Sequence, residues 1–218
     1  MLNTVWMVIV SIMTILAQVG YLMVEIGSIK THNNSDLLLK NLLVMAISSV
    51  VFFLIGFGIS TEAGGGLMGM THFIGLNYTY TDYSKFLFHY SLCILMASIA
   101  TGPIAERTSL DTYVFFTFLT SAFIFPTILA WCWEDGWLQN LGFQDYAGAG
   151  IVHLTAGIAG FVGAYFTGPR TGIFKREANL EYLLADENFE ERQFTIIDQK
   201  HEQQSIDYKS DKRRQPIE

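Results

Sequence analysis

Charge is scarce in this sequence, and it is unevenly placed. Only 15% of the 218 residues are Asp, Glu, Lys or Arg, against about 25% in an average soluble domain. Fourteen charges are spread over residues 1–170, while nineteen crowd into 171–218. That distribution excludes a single water-soluble globule. The net charge of −7, with no basic face, excludes nucleic acid as a partner. Cysteine is nearly absent. Cys93 and Cys132 lie inside apolar runs, with no Cys-x-x-Cys and no Cys/His ligand spacing, so neither a metal nor another cofactor is expected. No nucleophile, base and orienting group come together, so the chain does not read as an enzyme. The glycine-rich stretch 61–85 holds no phosphate-binding pattern, and reads as an extramembrane connector. No repeat of 20–50 residues is present.

What the sequence does have is apolar length: 51% of it is hydrophobic and 14% aromatic. A bilayer core takes about 20 apolar residues in a helix. Five runs meet that, at 4–29, 41–58, 86–105, 113–133 and 147–166. The first lacks a basic start and a small-residue cleavage site, and it outlasts a signal core, so it reads as a span. Five spans put the chain ends on opposite sides. Twelve Lys/Arg fall on one side (Lys30, Lys40, Arg107 and nine from Arg170 onward), and only Lys85 falls on the other. Positive residues favour the inner face, so the N-terminus is expected outside and the C-terminus inside.

The expected organisation is thus a membrane domain over 1–170 and a charged, partly helical tail over 171–218. Within the tail, Leu180, Leu183 and Leu184 lie near one face of a possible helix over 177–194, suited to docking on a partner. Asn77-Tyr78-Thr79 is a glycosylation sequon on the predicted outer side.

Few polar groups reach membrane depth, and each needs a partner there. Glu25 and His153 are expected to hydrogen-bond to neighbouring helices, with a place on a conduction path as the alternative for His153. His89 lies near the start of the third span. Glu106 and Arg107 read as a local ion pair. Trp131, Trp133 and Trp137 cluster near Glu134, Asp135 and Asp145 at the outer mouth. That cluster reads either as an interfacial aromatic belt or as a cation-capturing mouth. A tryptophan face attracts a small cation by roughly 0.5–2 kcal/mol.

One stretch is more specific. Trp133-Glu134-Asp135-Gly136-Trp137-Leu138 is followed by Asp145-Tyr146-Ala147-Gly148-Ala149-Gly150-Ile151-Val152-His153. Together with Gln18 to Lys30, Leu39-Lys40-Asn41 and Ala105-Glu106-Arg107, it resembles the ammonium transporter/Rhesus family over about residues 4–170. The resemblance implies an all-α integral membrane fold, of which this chain carries one five-helix inverted repeat. It implies that Asp145 organises the outer vestibule and a helix start. Trp133 would recruit the cation, Phe88 would sit at the outer end of the third span, and His153 would be the first of two pore histidines. The family's Phe-Gln is here Phe88-His89, and its gating Phe falls on Leu92. The opposite pore wall lies in a second repeat.

Two functional expectations follow. One is a non-transporting accessory subunit of a larger hetero-oligomeric membrane complex, in a respiratory-type assembly of the mitochondrial inner membrane. The other is an ammonium or ammonia conductor completed by another chain, with the plasma membrane as the alternative location. The lipid bilayer is a partner in either case.

Overall fold

A computed structural model describes residues 2–29, 34–61, 64 and 66–169. The tail, with Leu180, Leu183 and Leu184, lies outside the described residues, as does the expected boundary at 170. Five helices long and apolar enough to cross a membrane are present: α1 Leu2–Ser28, α2 Asn34–Ser60, α3 Tyr80–Ile104, α4 Leu110–Asn140 and α5 Ala149–Thr167. They coincide with the five expected runs, and among the described residues there is no strand.

Helix α1 shows why the bundle forms. Its buried residues are Ser11, Gln18 and Glu25, seven apart. Seven residues are two helical turns, so these lie in one row. The apolar residues Val5, Trp6, Ile9, Ile12, Met13, Leu16, Val19, Met23 and Val24 are exposed instead. In water this would be an inside-out helix; in lipid the apolar face is solvated by acyl chains and the polar row needs protein partners. Those partners are on α3 and α2. The Gln18 amide donates to Ser98 Oγ, and Asn41 Nδ2 donates to Glu25 Oε2 at 2.9 Å. The helix-to-helix hydrogen bond expected for Glu25 is present.

Helix α3 is the centre of the bundle. Of its most apolar 18-residue stretch, 61% is buried, against 11% for α1 and 22% for α5. Leu92, Cys93, Met96 and Ala100 of α3 pack with Phe52 and Phe57 of α2, Phe125, Leu129 and Cys132 of α4, and Ile151, Val152 and Ala156 of α5. Small residues such as Ser91, Ala97 and Ser98 on α3 are wholly covered and let the neighbours come close.

The helix ends differ from those expected, each for a physical reason. Helix α2 starts seven residues early. Lys40 is held by Asp36 one turn before it, at 2.9 Å, and its Nζ donates to the carbonyls of Ala105 at 2.9 Å and Thr108 at 3.2 Å. With its ammonium satisfied, a lysine is tolerated at the bundle's end. Helix α3 starts at Tyr80 because Thr79 and Asp82 form a capping box. Arg107, expected to pair locally, donates from its guanidinium to the carbonyl of Gly168 at 2.5 Å, at the far end of α5.

Helices α2, α4 and α5 each contain one π-helical segment, Phe52–Gly56, Thr120–Ile124 and Ala149–Leu154. In α4 it precedes Pro126, which has no N–H to give to Ala122, so the ladder is already open there. The segments of α2 and α4 meet. Ser121 Oγ donates to Ser48 Oγ at 2.8 Å, and Gly56 faces Ser121 so closely that a Cβ would lie 2.6 Å from its carbonyl oxygen and 2.4 Å from Phe52 Cδ2. The glycine-rich connector is more than a spacer. Gly69 N–H donates to Ile59 O at 2.9 Å, tying the loop to the end of α2. A Cβ on Gly69 would lie 1.7 Å from Thr61 O.

Gly56→Ala is expected to destabilise the bundle by about 1–3 kcal/mol through overpacking. Gly20→Ala, on a lipid-facing position with nothing within 4 Å, is expected to leave it unchanged. Thermal unfolding in detergent, followed by circular dichroism, checks the contrast.

Candidate functional site at the aromatic mouth

The site lies where the start of α3 meets the break in α4. Helix α3 presents Lys85 and, one turn further on, Phe88 and His89. The continuous helix of α4 ends at Cys132. Trp133 is extended there, and both Glu134 and Asp135 have φ of 55°. That left-handed region is unfavourable for residues other than glycine. The Gly136 N–H closes the turn on Trp133 O at 3.0 Å. The double left-handed step reverses the chain, and the Glu134 carboxylate meets α3.

Three of the expected residues come together here. Phe88 and Trp133 are parallel, with ring centroids 6.1 Å apart and planes 4° from parallel. Trp133 also lines a cleft of about 580 Å³ with Cys132, Gln139, Phe143, Asp145 and Tyr146. Asp145 faces two ways. It lines that cleft, and its carboxylate accepts the N–H of Gly150 at 2.9 Å and of Ile151 at 3.1 Å. It thereby caps α5, which begins with a π-turn and leaves several N–H groups without helical acceptors.

The other two lie elsewhere. Leu92, one turn below Phe88, is 7% exposed and belongs to the core with Cys93, Met96 and Cys132. His153 is exposed on α5, beside exposed Leu154 and Ile158, while its neighbours Ile151 and Val152 are buried. It makes no hydrogen bond to any described residue, so the helix-to-helix bond expected for it is not found within this bundle.

The structure adds residues that the sequence did not join. Lys85 Nζ and Glu134 Oε2 form an ion pair at 2.5 Å. His89 is 3% exposed. Its Nε2 lies 3.8 Å from Glu134 Oε1, and its ring packs against Trp133 at 6.3 Å and Phe57 at 6.1 Å. Its Nδ1 has no hydrogen-bond partner. Trp131 Nε1 donates to Leu67 O at 2.8 Å, anchoring the connector over the mouth. Tyr78 closes this side, edge-on to Phe57 at 5.1 Å and to His72 at 5.7 Å. Burial, together with the Asp82 carboxylate, pushes its phenol up to about 12, so it stays neutral.

The bundle thus brings an aromatic, carboxylate-bearing mouth at one end together with a bare histidine on an exposed helix face. The profile described as Ammonium Transporter Family matches residues 5–184, and the chain belongs to that family. It is 32% identical over 180 residues to "Ammonium transporter 3" of Dictyostelium discoideum, covering 81% of this chain and 41% of that protein. It is 31% identical over 189 residues to "Ammonium transporter 1 member 3" of Solanum lycopersicum, covering 82% and 41%. Among solved structures it resembles one titled "Sensor Amt Protein", with a TM-score of 0.73 and 34% identity over 77% of this chain and 44% of that one. The chain therefore spans less than half the length of these relatives. It is an integral, multi-pass membrane protein with the all-α fold expected from the sequence.

Asp145→Ala removes both acceptors at the start of α5. We expect a loss of about 1–2 kcal/mol, the usual value of such a cap, with Asp145→Asn losing less because one acceptor oxygen remains. Thermal unfolding of the two variants side by side measures the difference.

Proposed function

We propose that this chain forms one wall of an ammonium/ammonia pathway, the opposite wall coming from residues outside the described bundle. The observation that carries the reading is the bare, exposed His153 on α5, below a mouth where Trp133 stacks on Phe88. An imidazole facing lipid without a partner is costly. The same imidazole facing a second wall lines a path. Trp133 recruits the cation by roughly 0.5–2 kcal/mol, far less than an ion loses on leaving water. Passage past the mouth therefore requires either a polar lining or deprotonation to ammonia. His153 lies one turn into α5, where its ring exchanges hydrogen bonds with the passing solute. Leu92, packed in the core, offers no π face, so Trp133 and Phe88 carry the aromatic role at this end.

The Lys/Arg asymmetry supports an outside N-terminus and, with it, an outer position for the Trp133 mouth. The plasma membrane is the location carried with this reading. The non-transporting accessory role in a mitochondrial assembly draws no support from the relatives matched, which are named as ammonium transporters.

In this reading the opposite wall lies outside the described bundle, so the chain by itself is expected to pass no ammonium. Reconstitution in liposomes of the protein purified in mild detergent, with whatever chains accompany it, is expected to give saturable ammonium-driven pH change. His153→Ala should reduce that flux at least about tenfold, the size of a lost buried polar contact. Flux equal in wild type and His153→Ala rejects His153 as a path residue. No flux in the intact assembly rejects conduction and restores the accessory role.

A further inference from the structure

The connector between α2 and α3 carries a sequon that neither the mouth nor the proposed pathway uses, and the fold sorts its three side chains. Tyr78 turns inward, edge-on to Phe57 at 5.1 Å and to His72 at 5.7 Å. Asn77 and Thr79, on either side of it, are exposed. Repeated left-handed steps produce this sorting: His72, Ile74, Gly75 and Asn77 have φ of 61°, 55°, 74° and 59°. Asparagine is one of the few side chains that enter that region readily. Leu76 is 62% exposed and Tyr80 94%, so the residues flanking the sequon stand open and leave room for a bulky group.

We propose that Asn77 is a modification site and carries an N-linked glycan. The glycan donor is an oligosaccharide on a polyprenyl diphosphate, presented at the lumenal face of the secretory membrane. Asn77 Nδ2 bonds to the anomeric carbon of the first sugar, and the bond from that carbon to the diphosphate oxygen breaks. The polyprenyl diphosphate leaves, and one Nδ2 proton passes to the transferase. The Thr79 hydroxyl is the other element the transferase reads. In the folded chain that hydroxyl donates to Asp82 Oδ2 at 2.6 Å within the cap of α3, so transfer belongs to the emerging chain, before the cap closes. The inference rests on the outer position read for the mouth. It is independent of conduction: a glycosylated chain that passes no ammonium leaves the site standing.

The sequence supplies its own control for sidedness. Asn33-Asn34-Ser35 is a second sequon. It lies in the connector before α2, and Asn77 lies in the connector after it. A single crossing by α2 puts the two on opposite sides of the membrane, so only one of them meets the transferase.

The test uses the full chain, expressed in a eukaryotic cell and isolated from its membranes. A glycan shows as reduced gel mobility that an N-glycan-releasing enzyme reverses, and mass spectrometry locates it on the peptide containing Asn77. Wild type and Asn33→Gln should carry the glycan. Asn77→Gln and Thr79→Ala should lose it, while Thr79→Ser, which keeps the hydroxyl for transferase and cap alike, should retain it. Orientation is read separately on Tyr80→Cys with a membrane-impermeant maleimide, against a low background because Cys93 and Cys132 are buried. A wild-type chain without a glycan disproves the site. Labelling of Tyr80→Cys from outside then shows that the orientation stands; labelling only after permeabilisation shows that the orientation has failed as well. A mobility shift that survives Asn77→Gln, or a glycan found on Asn33, also disproves the site.

Discussion

The bundle depends on the row of three polar residues along α1. In a hydrocarbon solvent, apolar burial gives helices little reason to associate, because acyl chains solvate leucine as well as leucine does. Association has to come from close packing and from polar groups that find partners only in each other. Ser11, Gln18 and Glu25 are covered while the large apolar residues of the same helix are not. Gln18 finds Ser98 on α3 and Glu25 finds Asn41 on α2, so one row joins three helices. The same logic recurs at the end of the bundle away from the mouth, where Lys40 satisfies the carbonyls of Ala105 and Thr108 and fixes the turn between α3 and α4.

With α3 fixed at the centre, the mouth is built from what its first turns present. Lys85, Phe88 and His89 project from a helix that is rigid at its far end and capped at its near end by Thr79 and Asp82. The opposing side comes from a strained turn rather than a helix. Regular structure thus holds the aromatic and the imidazole, while an irregular segment delivers the carboxylate. Asp145 joins the two functions of this end, since one carboxylate both lines the cleft and starts α5. The orientation of α5, and with it the position of His153, follows from that cap.

The five spans were legible because their signal is local: some twenty apolar residues cross a bilayer whatever surrounds them. Their ends were less legible. Helix α2 extends to Asn34 past a lysine and an aspartate because Lys40 finds carbonyls 65 and 68 residues away, contacts that no window of sequence contains. The Trp133 and Asp145 neighbourhood was visible through a resemblance to a family, and Glu25 through its isolation in an apolar run. Lys85 and Glu134, 49 residues apart, were seen separately as loop charges. Their meeting depends on two left-handed residues that the sequence Glu-Asp-Gly does not announce. The π-segments were likewise hidden, since one extra residue per turn leaves hydropathy unchanged; only Pro126 hinted at one of them.

The bond from Arg107 to Gly168 has a mechanical meaning. It clamps the last residue of the bundle, the point from which the polar segment departs, to the end of the central helix. The end of α5 therefore cannot peel away at Gly168 without first breaking that bond. The same turn is gripped from the other side by Lys40, so one short connection between α3 and α4 holds the ends of two further helices, α2 and α5.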